Sequence, residues 1–327
     1  MLALRTAVSA LLVLALAAIA VLAPAWTYAI SLALFGLPHV AMELRYLDQR
    51  FGARIANGTW YWLVLALVGI AVLRAAAIGN VGTTDARAAA EWLLGAVLAA
   101  AIWPQLRARG KAFAVLGAAV VLLSVAAANT APVVALVLFA LLHNVTPVGL
   151  LAERLRGAER RRALLACGAV FGMLPLAIAM GYFGHAVGAL GLVGTESGPL
   201  DSGDLATHMP SFVPMPLLAT QFGLDLFRAA AFLQCMHYAV VIGVLPRLGA
   251  GSPVQATRLA WPSAASFRQA VLFLTALLLV GFVGEFGSAR ACYGVFASIH
   301  AWIEVPVLLL ACAASPRGPI SPLAAPA

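Results

Sequence analysis

The chain has 327 residues, 63% of them apolar and 10% charged, with a mean hydropathy of +0.99 and a formal net charge of +8. Such a composition excludes an ordinary soluble domain and describes a polytopic membrane protein. The basic residues lie in short connections between apolar runs, so the charge reads as the positive-inside pattern and not as a nucleic-acid footprint.

Apolar runs of about 17 to 24 residues, long enough to cross the hydrocarbon core, predict an all-α transmembrane bundle of about ten helices. They lie near 6–23, 25–44, 59–78, 88–103, 112–128, 132–151, 163–183, 226–246, 268–284 and 291–313. The first run, with Arg5 before a Leu/Ala-rich core, also fits a signal peptide cleaved within residues 1–23. Odd-even alternation places all but four of the 20 basic residues, Arg74, Arg87, Arg228 and Arg290, on one side. That side is then cytoplasmic and holds both termini, as expected for a bacterial inner-membrane protein. Trp26 and Trp92 fall near outer ends and Trp60, Trp62 and Trp103 near inner ends, matching interfacial aromatic belts.

The one long connection, 184–225, is expected outside and to contain short helices or a lid. A single transmembrane domain thus spans 1–314, followed by a proline-bearing tail, 315–327, expected to be disordered. Four cysteines, Cys167, Cys235, Cys292 and Cys312, lie far apart without CxxC spacing and read as packing residues.

The chemistry-bearing feature is a repeated pattern, His39-x-x-x-Glu43 and His300-x-x-x-Glu304, inside two of the apolar runs. Residues four apart share a helix face. Two further histidines, His143 and His237, lie in the sixth and eighth runs, so all four imidazoles belong to even-numbered helices running from outside to inside. Each lies about 15–20 Å below its outer end at 1.5 Å per residue, so the four can meet at one depth. An isolated membrane histidine is most simply a hydrogen-bonded packing residue. Four at one depth, with Glu43 and Glu304 a turn further in, point to a metal site with carboxylates as ligands or as partners that orient the rings.

Weaker candidates surround this set. Tyr238 and Trp302 are expected to line an apolar substrate pocket, Asn144 to bond a histidine ring or a neighbouring helix, and Asp225 and Arg228 to pair. His185 and His208 read as solvated loop histidines, and Glu285 as water-facing. Pro38 lacks an N–H and disfavours helix at Leu37, so Gly36-Leu37-Pro38 should kink or break the second span just before His39.

At Phe35-Gly36-Leu37-Pro38-His39-Val40-Ala41-Met42-Glu43 the chain resembles the Brp/Blh family of membrane enzymes, which cleave β-carotene centrally to retinal. That family carries a G-x-P-H-G-A-x-D pattern there. Gly36, Pro38, His39 and Ala41 match, Val40 replaces the second glycine, and Glu43 replaces the aspartate at the same spacing. The resemblance covers about nine residues and implies histidine-bound iron with dioxygen as co-substrate.

The leading expectation is therefore a membrane dioxygenase whose Fe(2+), held by catalytic His39, His143, His237 and His300, acts on a bilayer-dissolved apolar substrate such as a carotenoid. Partners are the lipid bilayer, that small molecule and, as an option, a second copy of the chain, with no nucleic acid. Two alternatives are a haem-binding electron-transfer protein with axial histidines and a proton-coupled transporter using the buried His and Glu residues. HxxxH and HxxHH boxes of membrane desaturases are missing, as is any catalytic GxSxG or phosphate loop.

Overall fold

A computed structural model describes residues 2–199, 202–249 and 256–313. The expected tail, 315–327, lies outside the described residues. Among these, the chain is helical, with a single isolated bridge between Ser197 and Asp204. The helices are α1 (Leu2–Leu22), α2 (Pro24–Phe51), α3 (Asn57–Ile78), α4 (Thr84–Ala101), α5 (Trp103–Arg109), α6 (Lys111–Thr130), α7 (Pro132–His143) and α8 (Thr146–Arg154). They continue as α9 (Gly157–Cys167), α10 (Leu174–Ala179), α11 (Tyr182–Ala189), α12 (Leu205–His208), α13 (Gln221–Gly243), α14 (Leu245–Gly249), α15 (Ala264–Gly284) and α16 (Phe286–Cys312).

Seven helical segments are long and apolar enough to cross a membrane, or up to nine if each of two bent pairs counts as one span. The apolar stretch of α1 over Val8–Leu22 is shorter. All ten expected runs are thus helical, but seven to nine meet the length and composition of a span. Both bends have the same cause. The pairs α4/α5 and α7/α8 each turn by 42° where a proline, Pro104 or Pro147, occupies the first turn of the second helix. Proline is tolerated there because its missing N–H would have no helical partner.

Pro38 behaves differently from the expectation. It lies inside α2, which continues unbroken to Phe51. Its absent N–H leaves the Leu34 carbonyl without a helical donor, but packing of α2 against α13, α15 and α16 holds the helix through that point.

Burial separates the bundle into centre and periphery. In α2, α13 and α16 about half or more of each apolar window is buried, 56%, 61% and 50% respectively. The value is 17% for α3, α6 and α15 and 22% for the segment Gly157–Ala179. Peripheral helices expose large apolar side chains such as Leu122, Leu123, Leu272 and Phe273, a surface that lipid, not water, can cover. The three central helices carry three of the four histidines singled out above.

The C-terminal end of α2 is anchored by two buried acids. Asp48 accepts hydrogen bonds from the backbone N–H groups of Arg258 and Leu259 and from Trp261 Nε1, at 2.8, 2.9 and 2.8 Å. Glu153 at the end of α8 pairs with Arg50 and Arg54 at 2.8 and 3.4 Å. These bonds fix the α2 terminus against α8 and against the connection leading to α15. Asp48→Ala would leave two backbone donors and one indole donor without their anionic acceptor, at a cost of about 2–3 kcal/mol. The expected result is a lower thermal midpoint and faster limited proteolysis within residues 256–263; an unchanged cleavage rate would refute the anchor.

Candidate metal centre

His39 projects from α2, His237 from α13 and His300 from α16, while His143 is the last residue of α7, at the bend before α8. Together they offer ligand nitrogens that all lie within 4.8 Å of one another. One ion with bonds of about 2 Å spans ligand atoms up to about 4 Å apart, so small side-chain movements close the set. His39, His237 and His300 are 2% exposed or less. Ring centroids stand 4.7 Å apart for His39 and His300, 4.5 Å for His143 and His300, and 4.7 Å for His143 and His237.

Backbone carbonyls set two of the tautomers. Nδ1 of His39 faces Phe35 O at 3.3 Å and Nδ1 of His300 faces Ala297 O at 2.8 Å. A carbonyl only accepts, so the ring proton sits on Nδ1 and the Nε2 lone pair is left for a ligand. That arrangement is the usual support of a metal-binding imidazole.

The carboxylates complete the set. Glu43 is fully buried, with Oε2 3.4 Å from His237 Nε2 and 3.6 Å from His300 Nε2. Glu304 Oε2 approaches His143 Nδ1 to 2.7 Å, without the alignment of a hydrogen bond. Glu43, His300 and Glu304 form a second cluster of ligand atoms within 4.8 Å, sharing His300 with the first. Neither oxygen of either glutamate has a hydrogen-bond partner, and the same holds for both ring nitrogens of His143 and His237. Buried polar atoms are normally satisfied, and ionised ones must be paired or coordinate a metal. A divalent cation supplies what these orphaned atoms lack, so the donor set fits a metal with His39, His143, His237 and His300 as ligands and Glu43 and Glu304 as ligands or ring-orienting partners.

A cavity of about 530 Å³ reaches this cluster. His39, His143 and His300 line it together with Leu32, Leu136, Phe139, Arg74, Arg290 and Ser211. Tyr238 lines it and stacks on His39, with centroids 4.0 Å apart and planes at 27°. Trp302 also lines this cavity, and its Nε1–H donates to Glu91 Oε1 at 2.7 Å, an atom that also accepts from Arg74 at 2.7 Å. Glu91 escaped the sequence reading because a lone acid near a span's outer end looks interfacial; only the fold brings Arg74 and Trp302 to it.

Other candidates resolve simply. Asn144 bonds the carbonyls of Ala140 and Leu141 in its own helix, not a histidine or a neighbouring helix. Asp225 and Arg228 pair at 2.8 Å. Exposed Glu285 caps α16 through the N–H groups of Gly287 and Ser288. His185 lines a separate pocket beside Asp225 and Arg228. The long connection does contain short helices, and it buries His208 fully against Tyr28 and Phe286, so this histidine is not solvated. Comparison of the chain with family models, with curated proteins and with solved structures returns no match.

Two measurements test this geometry. A Cβ at Gly95 would stand 2.1 Å from the Trp302 ring, so Gly95→Ala must displace the indole and strain its bond to Glu91. We expect a loss of about 1–3 kcal/mol and a shifted tryptophan emission; unchanged emission would show that the ring is not held there. Burial, reinforced by nearby Arg290, lowers His208 from its ordinary 6.5 to about 4. The unfolded connection therefore binds the extra proton first, and stability is lost as pH falls from 6.5 towards 4. Hydrogen exchange over residues 202–220 should accelerate across that window in the native chain and show a flatter pH profile in His208→Phe.

Proposed function

We propose that this protein is an integral membrane, metal-dependent oxygenase acting on a bilayer-dissolved apolar substrate, with oxidative cleavage of a carotenoid such as β-carotene to retinal as the first reaction to test. The observation that carries the reading is the convergence of four histidines and two glutamates, with unpartnered atoms, beside a cavity with apolar walls. A ferrous ion held by the imidazoles would supply dioxygen activation, which side chains alone do not provide. In the cleavage, one C=C bond and the O=O bond break, both oxygen atoms become the two carbonyl oxygens, and no further reductant enters.

The chain's own residues have definable parts in this scheme. The Phe35 and Ala297 carbonyls orient the His39 and His300 rings, and Glu43 and Glu304 offset the charge of a cation and raise ring basicity. Tyr238, stacked on His39, and Phe139, stacked on Trp302, present flat apolar faces suited to a polyene. We place the protein in the bacterial inner membrane with both termini cytoplasmic, α1 added to the nine qualifying segments as a tenth, short span, which puts the arginine-bearing part of the cavity towards the outer face. The crowding of the imidazoles disfavours haem, since a porphyrin between any two of them would overlap the other two.

Elemental analysis and an optical spectrum of one detergent-purified sample form the test. Near-stoichiometric iron without a Soret band is expected, with iron lost in His237→Ala and bound about 10–100-fold more weakly in Glu304→Gln. Conversion of β-carotene to retinal by the iron-loaded protein, absent in His237→Ala, would identify the reaction. A Soret band would move the reading to haem, and no metal after reconstitution would move it to proton-coupled transport.

A further inference from the structure

The two arginines on the cavity are not equivalent. Arg74 is neutralised by Glu91 at 2.7 Å. Arg290, half-buried on the second turn of α16, has no ion pair or hydrogen bond among the described residues. His208 lies near it and carries no charge at neutral pH. Glu285, the acid preceding α16, is turned to its helix cap. A guanidinium with no protein partner on the wall of a mainly apolar cavity is a candidate anion site, because its charge is partly withdrawn from water and no ion pair offsets it. The Ser211 hydroxyl, 3.1 Å from Tyr28 OH, adds polar character at the same end.

Distance along the helix ties this end to the metal centre. Arg290 and His300 lie on one helix, ten residues apart, which is about 15 Å at 1.5 Å per residue. The cavity that both residues line also has Leu32, Leu136, Phe139 and Ala297 on its walls, with Gln234 and Ser298 as polar members. A molecule that reaches from Arg290 to the histidines is therefore extended, mainly apolar, and anionic at its Arg290 end.

We propose that the cavity binds an amphiphilic acid, its anionic head on Arg290 and its apolar chain running inward to the histidine cluster. This rests on the reading of the cavity as the substrate site and moves the preferred substrate from a pure hydrocarbon to a chain with an acidic head, whether a free long-chain carboxylic acid or an anionic phospholipid. Arg fits either head, since its planar fork matches carboxylate and phosphate oxygens.

The test measures binding without turnover or metal. The purified protein in zwitterionic phosphatidylcholine nanodiscs is titrated with a fluorescent conjugated-polyene fatty acid and with its methyl ester. The acid is expected to bind at least tenfold more tightly than the ester. Arg290→Gln should abolish that difference, and Arg290→Lys should retain part of it, which separates loss of charge from loss of fold. His300→Ala should keep the preference for the acid while losing metal, so a failure of the oxygenase reading and a failure of this one give different results. Competition identifies the source: displacement by unlabelled fatty acid favours the free acid, and displacement by phosphatidic acid favours the phospholipid. Equal binding of acid and ester, an acid preference that survives Arg290→Gln, or displacement by neither competitor would overturn the proposal.

Discussion

Two glutamates and four histidines are withdrawn from water at membrane depth with no protein donor for either carboxylate, and the rest of the structure is arranged around that fact. A charged residue at a helix centre costs about 2.5–3.5 kcal/mol even by lenient insertion scales. A fold bears this only when the groups meet one another and share a counter-charge. Glu43 and Glu304 face His237, His300 and His143 at 2.7 to 3.6 Å, so their cost falls on a single locus and not on separate helices. A cation at that locus would turn six separate penalties into one coordination sphere.

Convergence of this kind makes demands on the backbone. Three of the histidines come from α2, α13 and α16, the most buried helices, whose mutual packing leaves little freedom to each ring. His143 reaches the cluster from a helix that ends at it, with Thr146 bonded to its carbonyl and Pro147 starting α8 at 42°. Asp48 and Glu153 tie the α2 C-terminus to α8 and to the α15 connection. The same α2 helix thus carries His39, Glu43 and the anchor residue Asp48, so one helix relates the histidine–glutamate cluster to the anchored end of the bundle.

Legibility in the sequence followed the reach of each interaction. The spans were readable because hydrophobicity is a local average, and the His-x-x-x-Glu pairs because helical spacing puts such residues on one face. The even-numbered helices were enough to bring the four histidines to one depth. Less was readable wherever a distant partner decides the outcome. Glu91 acquires its role from Arg74 and Trp302, Asp48 from a connection some 210 residues away, and His208 from a connection folded back on Tyr28 and Phe286. Pro38 was read as a kink or a break because its local effect is real, and of the two the break does not occur: tertiary packing carries α2 through it. The span count depends on length alone: nine of the ten runs qualify when each bent pair is one span, and the remaining one, α1, has an apolar stretch shorter than the others.

The cavity joins the histidine cluster to the two arginines. It is lined by histidine rings whose free lone pairs are fixed by backbone carbonyls, by aliphatic and aromatic groups, and by one arginine already paired and one that is not. A pocket built only to hold a hydrocarbon gains nothing from the unpaired guanidinium, whose desolvation works against burial. A pocket for a charged solute gains nothing from the Leu32, Leu136 and Phe139 walls. Both features are favourable together only for a molecule that is apolar along its length and anionic at one end, which orients that length and places one region of the chain at the histidines. On this view regioselectivity comes from the spacing between Arg290 and His300 on a single helix, a distance that α-helical geometry holds nearly constant.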